Sequence, residues 1–163
     1  MRKKEAIAIT KSLRAFSVQE LSPMVELGSS TKYFRTVVKP HIDKYLHLPI
    51  KLRGIAILTS DLKDSDGVDI VGNIYNTKTQ EKILLASPKS LMCCNILEHV
   101  EDRVEFSSIC SRILKKNGIL IFDDLLYEYR TASNKKKYIE SDFVIGGVLP
   151  FLSKFKNVEI LYA

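Results

Sequence analysis

Polar residues able to bind or orient a ligand recur along this chain, each just after an apolar run. The first group is Met24-Val25-Glu26-Leu27-Gly28-Ser29-Ser30-Thr31. An apolar run takes in an acidic residue, a glycine follows within two positions, and small polar residues lead into a segment that can be helical. That is how a parallel strand hands over to a helix in an open α/β sheet, whose ligands bind at the carboxyl ends of the strands. A glycine there removes a Cβ that would block a cofactor. Three further groups follow in order, each at a predicted strand end: Thr59-Ser60-Asp61, Val68-Asp69-Ile70-Val71-Gly72-Asn73 and Leu91-Met92-Cys93-Cys94-Asn95-Ile96-Leu97-Glu98-His99-Val100.

The elements that must carry these groups follow from periodicity and punctuation. Residues 3–20 are predicted helical, with Ala6, Ile7, Ile9, Leu13 and Phe16 near helical spacing. Pro23 opens a first strand that ends at Leu27. A helical segment starts at Thr31, is interrupted at Pro40 and resumes over 41–46. The second strand is expected over 54–60, a turn at Asp64-Ser65-Asp66-Gly67, a short third strand over 68–71, a helix over 77–85 and a fourth strand over 90–94. Residues 101–116 carry the strongest helical pattern, with Val104, Phe106, Ile109, Ile113 and Leu114 on one side and Asn117-Gly118 as the stop. Residues 119–122 are apolar on both faces, as a central parallel strand requires. A polar loop to about Asn134, a helix over 138–154 weakened by Gly146-Gly147 and Pro150, and a strand over 158–162 complete the pattern. Strands alternating with helices predict an α/β fold, a Rossmann-like three-layer αβα sandwich on a mostly parallel sheet. No repeat or linker divides the chain, so residues 1–163 are expected to form one domain.

Composition narrows the function classes. The apolar fraction of 45% is ordinary for a globular protein, and no apolar run reaches membrane-spanning length. Met1-Arg2-Lys3-Lys4-Glu5 is not followed by the apolar core of a signal peptide, so a cytoplasmic location is expected. Cys93, Cys94 and Cys110 lack the spacing of a disulfide framework and read as reduced thiols. The net charge of +6 admits nucleic acid, acidic lipid or an anionic substrate as partner. It is dispersed, however, in clusters such as Arg2-Lys3-Lys4 and Lys135-Lys136-Lys137, which solvated lysine faces explain better than a nucleic-acid footprint.

Taken together, Glu26-Leu27-Gly28-Ser29-Ser30, Asp61, Val68-Asp69-Ile70-Val71-Gly72-Asn73, Leu97-Glu98-His99-Val100 and Leu114-Lys115-Lys116-Asn117-Gly118 resemble the class I S-adenosylmethionine-dependent methyltransferases. The likeness is to the branch with a Leu-Glu-His-Val signature (type 11/12-like) and covers residues 23–123. It implies S-adenosylmethionine as cofactor and a role for each motif. Glu26, Gly28, Ser29 and Ser30 would form the turn that meets the methionine part. Asp61 would accept hydrogen bonds from the ribose hydroxyls, as a carboxylate can from two vicinal hydroxyls. Asn73 and the adjacent Ile74 stand where relatives hold the adenine. Asn95, Ile96 and Leu97 would lie beside the cofactor and the substrate cleft.

Departures and competing roles belong beside this assignment. Ser30 occupies the second glycine of the usual Gly-x-Gly, and its Cβ intrudes where relatives keep the loop bare. The family fold ends in a hairpin, whereas this chain offers one candidate strand, so it is either a minimal member or lacks the last strand. Gly28 could serve as an ordinary turn glycine, Asp61 as a turn cap and Asn73 as an Asx-turn residue. His99 is the single catalytic candidate. A structural role for Glu98 and His99, orienting the loop and capping the following helix, competes with it, because methyl transfer from a sulfonium needs alignment more than a strong base. His41 and His47 are expected on the surface, and Cys94 as a small buried residue rather than a nucleophile. Asn95-Ile96-Leu97-Glu98 in place of Asn-Pro-Pro-aromatic counts against base-amine chemistry. Asp123-Asp124 with Asn95 makes too thin a case for magnesium, and no metal is expected.

The expected activity is in-line methyl transfer to a small-molecule acceptor, acidic or phosphorylated or a sugar, seated near a loop containing Tyr127, Tyr129 and Arg130. The rivals are a non-catalytic member that only binds and an RNA methyltransferase favoured by charge alone.

Overall fold

The structure is a computed structural model in which residues 1–114 and 118–123 are described. Five parallel strands form one sheet: β1 (Met24–Leu27), β2 (Ile57–Asp61), β3 (Ile70–Val71), β4 (Ser90–Cys94) and β5 (Ile119–Asp123), in the order β3-β2-β1-β4-β5. Met24 sits opposite Ile57 on one side and Ser90 on the other, so β1 is paired along both edges. β5 continues the sheet beyond β4, with Ser90 opposite Ile119.

Side chains alternate between the faces of each strand, and here the alternation builds two cores. Val25, Leu27, Leu91 and Cys93 point into one layer with Ile83 of α5 (Thr77–Leu85) and Phe106, Ile109, Cys110 and Ile113 of α6 (Arg103–Ile113). Met24, Met92 and Cys94 point into the other, against Ala6 and Ile9 of α1 (Lys3–Ser12), Leu46, and Ile50 of a short helix over Leu48–Leu52. Ile119 and Ile121 join the second core while Leu120 and Phe122 join the first, as a strand apolar on both faces should. The chain is therefore a Rossmann-like α/β fold with helices on both faces of a parallel sheet. Among the described residues no helix is long and apolar enough to cross a membrane.

Several expected elements change in detail. The helix predicted over 3–20 breaks at Phe16, which is extended. Ser17 then caps a fresh turn, α2 (Val18–Leu21): its Oγ accepts from the Glu20 N–H at 3.3 Å, and Glu20 Oε2 accepts from the Ser17 N–H at 2.7 Å. The Ser17 hydroxyl, which donates to Glu20 Oε2 at 2.7 Å, and then the Ser17 N–H hold the Glu20 carboxyl below its usual range. The segment after Thr31 is a series of short pieces, Phe34–Val38 and Asp43–His47 wound as π turns, with α3 (Pro40–Ile42) between them and α4 (Leu48–Leu52) after. Pro40 and Pro49 each stand in a first turn, where the missing N–H leaves no bond unmade. The α6 helix begins later than expected, and its cap is Asp102, which accepts from the Glu105 N–H at 2.8 Å, rather than Glu98 or His99. The expected helix over 138–154 and strand over 158–162 lie outside the described residues.

Phe106 is fully buried at the centre of the first core. Replacing it with alanine removes a ring with no room for collapse around it. Urea titration of Phe106→Ala should show a loss of about 3–5 kcal/mol in unfolding free energy.

Candidate functional site

The chain leaves β1 toward the layer of α3 and α4 and leaves β4 toward the layer of α6. Neighbouring strands whose exits diverge open a crevice at their carboxyl ends, the topological switch point of such sheets. A cleft of about 900 Å³ occupies that place. Glu26, Gly28, Ser29 and Ser30 line it from β1, Asp61 from β2, Asn73 and Ile74 from beyond β3, and Asn95, Ile96 and His99 from beyond β4. Of the residues singled out in the sequence, Leu97 is the exception. It is 1% exposed and packs into the first core, because the loop after β4 turns it inward as a 3-10 turn over Leu97–His99.

The turn after β1 is tightly specified. The N–H groups of Gly28 and Ser29 both donate to the Ser60 carbonyl, at 2.9 and 3.1 Å. Gly28 has φ +71°, and a Cβ there would stand 3.2 Å from Ile96 Cδ1. Ser30 has φ 58°, in the left-handed region that favours glycine. Its N–H donates to Asp61 Oδ2 at 2.7 Å, while Asp61 Oδ1 accepts from the Lys63 N–H at 3.1 Å. Each carboxylate oxygen retains a further lone pair for another donor.

Beneath the turn lies Arg35, 5% exposed. Its Nη1 donates to the Ser29 and Ser30 carbonyls at 3.0 and 2.5 Å, and its Nη2 to the Gly67 carbonyl at 2.7 Å. Burying a guanidinium is costly unless its donors find partners, and here backbone oxygens of two loops accept three hydrogen bonds from it.

Glu26 is 4% exposed in a strand buried at every residue. His47 Nε2 stands 2.8 Å from Glu26 Oε2. Neither atom has an aligned hydrogen bond among the described residues, so the contact is one of proximity. His47, expected at the surface, is 1% exposed, because the π turn carries it inward beside Leu46. His41, in contrast, is half-buried, with Nε2 3.1 Å from the Met1 carbonyl oxygen.

The far wall differs in character. Asn73 is exposed, and its Oδ1 accepts from the Tyr75 N–H at 3.0 Å in an Asx turn. Tyr75 in turn donates its hydroxyl to the Asp102 carbonyl at 2.9 Å, tying this loop to the start of α6. Burial first, then the Glu105 and Asp102 charges, pushes the Tyr75 hydroxyl above its usual range. Asn95 has φ 51°, and its amide oxygen and nitrogen are buried without a hydrogen-bond partner among the described residues. His99 is exposed at the rim. Cys94 is 7% exposed and packs in the second core, as expected of a small buried residue. Among the described residues no three His, Cys, Asp or Glu side chains gather as a metal-ligand set. Asp124 and the loop containing Tyr127, Tyr129 and Arg130 lie outside the described residues.

Sequence reasoning missed Arg35 and His47. His47 carried a signal, since it follows Leu46 and precedes Ile50 at helical spacing. Arg35 carried none, because its partners are carbonyls, which every residue has. The chain matches no family model, no curated protein and no solved structure.

Two outcomes follow from this geometry. Gly28→Val places a β-branched side chain at positive φ and against Ile96, and it should abolish ligand binding in the cleft while far-UV circular dichroism stays close to wild type. Cys93 is fully buried, and its hydrogen bond with Cys110, together with burial, raises its thiol well above the usual range. Native protein treated with iodoacetamide at neutral pH should therefore leave Cys93 unmodified by mass spectrometry, and urea should expose it.

Proposed function

We propose that this domain binds S-adenosylmethionine and transfers its methyl group to a small-molecule acceptor. One observation carries the reading: polar residues from the ends of β1, β2, β3 and β4 converge on a single cleft at the switch point. A sheet of this order hosts many chemistries, so the support comes from the lining rather than from the fold. The residues fit the cofactor. The turn at Gly28 has no side chain to obstruct it, Asp61 presents a carboxylate suited to paired hydroxyls, and Ile74 and Ile96 offer apolar walls.

The cofactor, when bound, supplies a methyl group already activated on a sulfonium. The chain's own residues are left with alignment and exclusion of water. Glu26, beside His47, lines the cleft and offers carboxyl oxygens to a ligand. Asp61 fixes the diol. Asn95 and His99 border the space for the acceptor, and in this reading His99 orients rather than abstracts. The described lining also speaks to the acceptor. Glu26, Asp61, Glu101, Asp102 and Glu105 line the cleft with Lys39 and Lys63, an acidic balance that disfavours a phosphate backbone and hence RNA. A domain that has lost cofactor binding is the second reading. It is favoured by the internal use of Asp61 and Asn73, whose oxygens already serve the Ser30, Lys63 and Tyr75 amides.

Isothermal titration with S-adenosylhomocysteine separates the two. Wild type should bind, and Asp61→Ala should weaken binding by about 1–3 kcal/mol, the scale of losing charge-assisted hydrogen bonds. No binding at millimolar ligand, or equal affinity in a folded Asp61→Ala, overturns the proposal.

A further inference from the structure

We infer that Arg35 is a positioning residue for ligand recognition: it locks Ser30 in a left-handed conformation and so sets the Asp61 carboxylate for a vicinal diol. The identity of the diol rests on the methyltransferase reading, but the lock does not.

Ser30 stands at φ 58°, a conformation a non-glycine residue holds only where its surroundings impose it. Two bonds impose it here. On one side of Ser30 its N–H is taken by Asp61 Oδ2 at 2.7 Å. On the other its carbonyl is taken by Arg35 Nη1 at 2.5 Å, with the Ser29 carbonyl on the same nitrogen at 3.0 Å. Arg35 is itself anchored through Nη2 to the Gly67 carbonyl at 2.7 Å, and that carbonyl also accepts from Thr59 Oγ1 at 2.8 Å. Gly67 admits no side chain, since a Cβ would lie 2.5 Å from Lys32 Cβ and 2.9 Å from Arg35 Nη2. The guanidinium therefore bridges the turn after β1 to the loop before β3. Asp61, at the end of β2 between them, receives its orienting N–H from a residue that Arg35 holds. Arg35 does not line the cleft, so any effect on ligand reaches it through Ser30 and Asp61. A glycine at position 30 would adopt the same backbone freely; with serine there, the arginine does that work.

The experiment pairs a ligand-free readout with a discrimination ratio. Amide exchange measured by NMR on the free protein should show the Ser30 N–H protected in wild type and at least tenfold less protected in Arg35→Met, with strand β4 amides unchanged. Adenosine and 2′-deoxyadenosine then serve as probes that differ by one hydroxyl of the diol. Wild type should prefer adenosine by about tenfold, the order expected for a hydrogen bond to a charged group. Arg35→Met should bring the ratio near one, whereas a purely structural loss would weaken both nucleosides alike. Ser30→Gly added to Arg35→Met should recover part of the preference. Arg35→Lys, which keeps the charge but not the fork, covers the case in which the methionine variant fails to fold, and it should also lose the preference. Unchanged Ser30 protection, or an unchanged ratio in either folded variant, overturns the proposal. A wild type that protects Ser30 but binds neither nucleoside overturns the ligand half of this inference and leaves the lock standing; the methyltransferase reading falls only if S-adenosylhomocysteine also fails to bind.

Discussion

β1 spans Met24–Leu27, pairs on both edges and is buried at every residue, and the cleft exists because of where it stops. Its two neighbours continue the sheet in opposite directions. Connections in such sheets keep one hand, so the chain leaving β1 and the chain leaving β4 must pass on opposite faces. The gap between them cannot be closed by packing without reversing a crossover. Everything polar in the site hangs from that gap: the turn that closes on the Ser60 carbonyl, the carboxylate of Asp61 one strand away and the loop after β4.

Left-handed backbone is concentrated at the same place. Gly28, Ser30 and Asn95 all have φ between 51° and 71°, and all three line the cleft. For serine and asparagine this conformation has a price of order 1 kcal/mol or more. Ser30 offsets it through bonds at both its N–H and its carbonyl. Asn95 has no such compensation from its amide among the described residues. Unmatched polar atoms stand on both walls: the Asn95 amide on the β4 side, and Glu26 Oε2 with its neighbour His47 Nε2 on the β1 side.

Much of the fold was legible in the sequence because its signals are local. The helix over Thr77–Leu85 and the strand over Ser90–Cys94 stand where periodicity and flanking turns put them. Strand ends were legible for the same reason, and with them the cleft residues from Glu26 to Ile96. The break at Phe16 was written in Ser17-Val18-Gln19-Glu20, a capping box at which a continuous helix is not expected to run on. What stayed hidden depends on groups distant in the chain. Leu97 faces the core rather than the cleft because of a turn that spacing does not reveal. Asn73 gives its amide oxygen to its own loop. Arg35 reads like any solvated arginine until the carbonyls of Ser29, Ser30 and Gly67 are placed around it.

The layer that packs on Met24, Met92 and Cys94 joins α1 to a run of short helical pieces over 34–52. Leu46 and Ile50 pack by apolar contact, which is non-directional. The placement of His47 is directional. A slip of one residue turns a side chain by about 100° around a helix, which would carry the imidazole away from Glu26. Any such arrangement separates two buried polar side chains that now meet. A contact of 2.8 Å thus marks the frame in which these short turns bring imidazole to carboxyl.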